Sequence, residues 1–288
     1  MWIWIFLAVS ALCCAIGFKK FVWFLSIGYG FSVIGLGLAY LVYALVNGSV
    51  DLILCIQTVL LVAYGARLSG FLLVRELKNA SYKRVLKEEI KADEKKMPVF
   101  VKGAIWVSVT LLYFAQTSPV FYRVENENIW QFGQAFSLTA VLLPAIGIVI
   151  SIIGLVLESL ADAQKSEQKK ENPNMVATKK LYKFVRCPNY FGEILFWTGM
   201  FVGSLTSLNN VWQWIVVILG YILIVYVMIN GAQRLDKRQE KNYGNKEEYR
   251  AYADHTPLII PFVPVYHIGK YKEEKVEEVK VETSKEEK

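Results

Sequence analysis

Seven apolar runs, cut apart by short polar loops, constrain this chain more than any other feature. They are Trp2–Phe18, Phe21–Val46, Leu52–Val74, Val99–Val120, Ala135–Leu160, Phe191–Ser207 and Val211–Ala232. A helix needs about 20 mostly apolar residues to cross the hydrocarbon core of a bilayer. The first and sixth runs are short, and only Lys19 and Lys20 separate the first two. The expected fold class is all-α: a polytopic membrane protein with about seven transmembrane helices. With 55% hydrophobic and 14% aromatic residues in a chain of 288, the composition excludes an ordinary soluble domain.

The loops predict the orientation. Basic residues crowd three of them: Arg75 to Lys96 after the third run, Lys165 to Arg186 after the fifth, and Arg234 to Lys241 after the seventh. The alternate loops hold one basic residue among them, Arg123. The positive-inside rule then places the basic loops in the cytosol, the N-terminus outside and the C-terminus inside. The net charge of +7 therefore argues for topology and gives no support to nucleic-acid binding. Met1 is followed by an apolar run with no basic segment, as expected of an uncleaved first span. Cys13, Cys14, Cys55 and Cys187 have no metal-ligand spacing and read as small packing residues. Residues 1–134 form an expected N-terminal transmembrane half on the substrate side, 135–266 a C-terminal half carrying the site, and 267–288 a disordered charged tail.

Polar residues at span ends mark the expected site, because such groups are costly near hydrocarbon. Arg186-Cys187-Pro188-Asn189-Tyr190-Phe191-Gly192-Glu193 opens the sixth run. Pro188 suits the first turn of a helix, and Arg186, Asn189, Tyr190 and Glu193 then share a face. An Arg at a helix start is repelled by the dipole unless it meets an anion such as a phosphate; the alternative is a snorkelling Arg beside an interfacial Tyr. Glu158, Asp162 and Lys165 step along one face at the end of the fifth run, with Gln164 and Lys169 beyond them. This is either a solvated helix end or the wall of an aqueous site. Arg234, Asp236 and Arg238 interleave with Tyr243, Tyr249 and Tyr252, a pattern that suits an aromatic belt or a stacked, phosphate-bearing nucleotide. Gly244 is placed for a helix C-cap, with a short helix over Glu247–Tyr252. Tyr64 and Arg67 lie inside the third run, where an Arg needs either a buried acid or a bound anion.

From Asp162 through Gln164-Lys165, Arg186-x-Pro-Asn189-Tyr190-x-Gly-Glu193, Arg234/Asp236/Arg238, Tyr243-Gly244, Tyr249, Tyr252 and Ile259-Ile260-Pro261, the order of residues resembles the membrane steroid 5α-reductase and sterol reductase family. The likeness covers Gly154 to Pro264 well and the first half loosely. It implies an NADPH-dependent reductase acting on an activated carbon–carbon double bond in a lipid or steroid-like substrate that enters from the bilayer. Asp162, Asn189, Tyr190 and Glu193 would hold the nicotinamide and ribose, together with Glu158, which stands where 5α-reductases have an Asn. Arg186, Lys165 and Lys169 would hold phosphates, and Arg234, Asp236, Tyr243 and Tyr249 the adenosine side. Tyr64 would deliver the proton beside Arg67, as in the Tyr-x-x-Arg of 5α-reductases. No metal is implied.

The resemblance has gaps. Cys187 replaces the usual His, and no clear counterpart of the catalytic Glu exists; Gln57 and Glu76 are the nearest candidates. Isoprenylcysteine and lipid methyltransferases, which bind S-adenosylmethionine, resemble the same C-terminal half and form the first alternative. They usually carry paired Glu residues where Arg234, Asp236 and Arg238 stand here. A non-catalytic lipid-binding relative is the second alternative. The membrane would be the endoplasmic reticulum in a eukaryote and the plasma membrane in a bacterium, and the oligomeric state is open.

Overall fold

A computed structural model describes residues 2–78, 98–127 and 138–268. Among them every regular element is a helix: α1 (Trp2–Cys14), α2 (Ile27–Val46), α3 (Leu52–Lys78), α4 (Val99–Glu125), α5 (Leu143–Glu171), α6 (Pro188–Val202), α7 (Val211–Tyr243) and α8 (Glu247–Ala253). Short 3₁₀ turns lie at Ala15–Phe18, Phe21–Leu25 and Lys180–Lys183, and a π turn at Leu138–Leu142 leads into α5. The expected basic residues 83–96 and all of the charged tail beyond Ile268 fall outside the described residues.

Five helices are long and apolar enough to cross a membrane, in segments Phe21–Val46, Leu52–Leu77, Val99–Glu125, Ala140–Glu171 and Val211–Tyr243. The expected seven spans thus reduce to five of full length. The first run yields a 13-residue helix and the sixth a 15-residue helix, about 20 and 22 Å at 1.5 Å per residue. Four of the five long helices outrun their apolar stretches, while α2 ends with its run at Val46. α3 ends at Lys78 instead of Val74, α4 at Glu125 instead of Val120, α5 at Glu171 instead of Leu160, and α7 at Tyr243 instead of Ala232. Hydropathy marks where lipid must be faced, whereas a helix continues through Glu, Lys, Arg and Gln, which are good helix formers. α4 also passes through Pro119 without ending. Proline removes the donor that would serve the Ala115 carbonyl, and the Ser118 hydroxyl donates to that carbonyl at 2.7 Å.

The chain divides into two compact units, Met1–Leu155 with Ile194–Val225, and Val156–Glu193 with Tyr226–Lys288. The first unit has an aromatic core. Tyr29 stacks on Tyr113 with ring centres 4.8 Å apart, and Tyr64 on Phe196 at 4.3 Å. The Trp197 indole N–H and the Tyr64 hydroxyl both donate to the Tyr29 hydroxyl, at 2.8 and 3.0 Å. Tyr113 donates to the Phe24 carbonyl at 2.6 Å. Each large ring therefore buries its apolar body and still places its polar tip on a partner. Helices approach closely where side chains vanish: a Cβ on Gly65 would lie 2.4 Å from the Gly30 carbonyl, and one on Gly199 would lie 2.3 Å from the Gly147 carbonyl. Arg123 and Asp51 form an ion pair at 2.7 Å with both side chains about 1% exposed.

The second unit is built from helix ends and the connections between them. α7 stops at Tyr243, and the Gly244 N–H closes on the Glu240 carbonyl at 2.7 Å, the C-cap anticipated there. The short helix expected over Glu247–Tyr252 is α8.

Candidate functional site

The Arg186–Pro188 turn organises the second unit. Its backbone is held by the C-terminal segment: Arg186 N–H donates to the Pro257 carbonyl at 2.8 Å and Cys187 N–H to the Leu258 carbonyl at 2.9 Å. Leu258 N–H in turn reaches the Val265 carbonyl at 2.8 Å, so residues 257–268 fold back as a strap. The Arg186 side chain is 1% exposed. Its Nη2 donates to Asp236 at 2.6 Å, Tyr249 Oη at 3.0 Å and Gln239 Oε1 at 3.1 Å, and Nη1 donates to the Tyr266 carbonyl at 3.1 Å. Burial opposes its charge, but Asp236 outweighs that and holds its pKa above the ordinary value. Arg186 is thus the internal counter-ion of Asp236, a residue fifty positions away.

His267 sits in the strap between two carboxylates, with Nδ1 3.4 Å from Asp236 and Nε2 3.1 Å from Asp254. The hydrogen bond to Asp236 raises its pKa above the ordinary imidazole value, against a smaller effect of burial. Burial pushes Cys187 up to about 12, which makes it a packing residue and no nucleophile.

Beside Arg186 lies a cavity of about 100 Å³. Lys165, Lys169, Arg186 and Arg238 supply its charge, and Tyr182, Tyr243 and Tyr252 its rings. The wall is fixed by α5. Gln168, four residues after Gln164, accepts from the Thr178 and Lys179 N–H groups at 2.9 and 2.8 Å, and Gln164 accepts from Leu181 N–H at 3.0 Å. The Tyr182 hydroxyl donates to the Ala161 carbonyl at 3.2 Å, and Tyr252 donates to the Tyr182 carbonyl at 2.6 Å. Burial raises the pKa of Tyr182, Tyr249 and Tyr252 alike, so these phenols stay protonated as donors. Tyr243 receives a hydrogen bond from Lys169 Nζ at 2.9 Å, and its ring lies 5.0 Å from that ammonium and 5.6 Å from Lys246.

The remaining predicted residues distribute as follows. Lys165 and Lys169 line the cavity with Tyr243, while Tyr249 stands behind it on Arg186. Asn189 and Tyr190 are half-buried in α6; the Tyr190 ring covers Gly231, whose added Cβ would meet it at 3.3 Å. The Asn189 Oδ1 is buried without a hydrogen-bond partner. Glu158 and Glu193 are buried, Asp162 is half-buried, Arg234 is exposed, and Asp236 is fully buried in its ion pair. Tyr64 and Arg67 belong to the first unit; Tyr64 is enclosed, and Arg67 is half-buried over the Phe71 ring at 5.8 Å. Of the two candidates for an acid beside Tyr64, Glu76 is bound by Lys20 and by Trp23 at 2.9 Å, and Gln57 is buried with its Oε1 unbonded. Sequence reasoning missed Gln168, Tyr182, Gln239 and His267. The Gln164–Gln168 spacing of four was the one visible hint; the pairing of His267 with Asp236 leaves no local pattern.

Five helices of this length and apolarity are consistent with a multi-pass membrane protein, and the second unit carries a cationic, tyrosine-walled cavity. The chain belongs to the family described as Protein of unknown function (DUF1295), whose model matches residues 18–256. No curated protein and no solved structure matches it.

Proposed function

We propose that this protein is an NADPH-dependent membrane reductase of an activated carbon–carbon double bond in a lipid. The observation that carries the reading is the cavity in which Lys165, Lys169, Arg186 and Arg238 meet Tyr182, Tyr243 and Tyr252. Cations suit phosphate oxygens, and tyrosine faces suit a base. At about 100 Å³ the cavity matches one phosphate-bearing part of a dinucleotide, since whole ligand pockets run to roughly 300–1,000 Å³. The buried, unbonded Asn189 Oδ1 is a further acceptor suited to the same kind of ligand. Lys165, Lys169 and Arg238 would hold the phosphates, with Arg186 behind them as the fixed frame. When bound, NADPH supplies the hydride. Tyr64, hydrogen-bonded to Tyr29, delivers the proton in this reading.

The reading includes a topology with the N-terminus outside and the C-terminus in the cytosol, counting α1 and α6 as the short first and sixth of seven spans. Basic loops on one side support it. The same cations disfavour S-adenosylmethionine, whose sulfonium is itself positive.

The test is thermal stability of the purified full chain titrated with NADPH, NADH and S-adenosylmethionine. A ligand that binds only the folded state stabilises by about 2.7 kcal/mol at a hundredfold excess over Kd. NADPH should raise the melting temperature, and Lys165→Ala or Arg238→Ala should each weaken it about tenfold, roughly 1.4 kcal/mol. Tyr64→Phe should leave that shift intact and lower kcat by about 10²–10⁴. A shift with S-adenosylmethionine and none with NADPH overturns the reading.

A further inference from the structure

The strap that folds back on Arg186 carries an apolar surface of its own. From Thr256 to Tyr266 the sequence holds no charged residue. Leu258 and Ile259 are buried in the second unit, whereas Ile260, Phe262, Val263 and Val265 are exposed, Phe262 by 89%. Phe262 also has a φ of 66°, in the left-handed region that is costly for a bulky side chain. Among the described residues almost nothing packs over its ring, so that strain is not offset from within the chain. The loop backbone is suited to leaving bulk water. Pro261 and Pro264 have no N–H, and the N–H groups of Leu258, Val263 and Val265 donate inside the loop at 2.8, 3.3 and 2.7 Å.

The tethers of the strap set its level. Arg186 and Cys187, which hold Pro257 and Leu258, stand immediately before Pro188, where the apolar helix α6 begins. At the other end the Gln233 amide donates to the Ile268 carbonyl at 3.1 Å, one residue past the apolar run of α7 that closes at Ala232. Both tethers therefore lie where an apolar helix meets polar chain, the level of a bilayer boundary. Along α7 the exposed Tyr226 and Ile229 come just before this level, and the exposed Arg234 and Lys237 just after it. That order, apolar surface followed by cations, matches acyl chains followed by acidic headgroups.

We propose that the loop over residues 260–265 dips into the bilayer that the helices cross, seating Phe262 among the acyl chains beneath the headgroups. Its occupant is phospholipid of the surrounding membrane, held as a surface and not as a substrate. The insertion is shallow, so the loop's remaining donors stay among hydrated headgroups. This contact rests on the membrane-spanning reading of the long helices and is independent of the reductase reading.

The experiment places a photoreactive side chain in the full-length protein in nanodiscs of tritiated phosphatidylcholine and unlabelled phosphatidylglycerol. Phe262→p-benzoylphenylalanine is compared with Glu248→p-benzoylphenylalanine, on the exposed polar face of α8. Burying a side chain the size of Phe favours the lipid side by at least about tenfold, so position 262 should take up tritium at least that much more strongly than 248. Val263→p-benzoylphenylalanine carries the same test should the first variant fold poorly. Equal labelling of the loop and of α8 overturns the proposal. A crosslink from the loop to a second copy of the chain, in place of lipid, overturns it as well.

Discussion

The two units solve the same problem with opposite materials. In the first, the aromatic core buries its polar groups as ring tips, with Tyr29 gathering the Trp197 and Tyr64 donors at one oxygen, and the Arg123–Asp51 ion pair stands apart from those rings. In the second, the organising group is a full charge: Arg186 is balanced by Asp236, with His267 and Asp254 extending the chain of ionisable groups. α5, α6 and α7 contribute to both, so one helix can carry both kinds of core along its length. A core of neutral hydrogen bonds and dispersion is indifferent to proton concentration. A core centred on buried charge is strong only while every partner is in place.

The harshest way to break this contrast is Arg186→Ala. It leaves Asp236 charged and buried, and should cost the second unit about 3–5 kcal/mol. Limited proteolysis should then cut within residues 156–193 and 226–268 while sparing the first unit. The paired change Arg186→Met with Asp236→Leu should recover most of that loss, because apolar replacement of both partners removes the uncompensated charge. If the single variant stays resistant, the second unit is not organised by its ion pair. Tyr29→Phe is the milder counterpart in the first unit. It strips the Trp197 N–H of its acceptor at an expected cost of about 1–3 kcal/mol, read as a lowered denaturation midpoint. That loss should be the same from pH 6 to pH 8.

The smallest effect sharpens the contrast most. His267 has its pKa raised in the folded protein, first by Asp236. Its stabilisation is therefore fully present below the unfolded imidazole value of about 6.5 and is lost as pH climbs through the higher folded value. Hydrogen exchange of the Arg186 and Cys187 amides, which the strap protects, should speed up over that window. His267→Gln should flatten the dependence, and amides of the first unit should show none of it.

Much of this arrangement was legible in the chain. Apolar runs give helices because lipid leaves little else, and Pro188, Gly244 and Glu247 mark helix ends by local chemistry. Partners were not legible. Arg186 looked like a phosphate ligand because an Arg at a helix start wants an anion; the anion is Asp236, and nothing in the local pattern couples positions fifty apart. The helix ends were misjudged because hydropathy and helicity part company where the apolar stretch stops.

The strap has a consequence for how the chain is made. The Tyr266 carbonyl that completes the Arg186 site lies 80 residues downstream of it. At a synthesis rate of about 5–20 residues per second, the guanidinium waits roughly 4–16 s before its last partner emerges. During that interval the nascent protein carries an incompletely sheltered cation, a substrate for chaperones and quality-control proteases. A stop codon placed just before Tyr266 would leave every long apolar helix intact and still yield a product that the cell treats as unfinished.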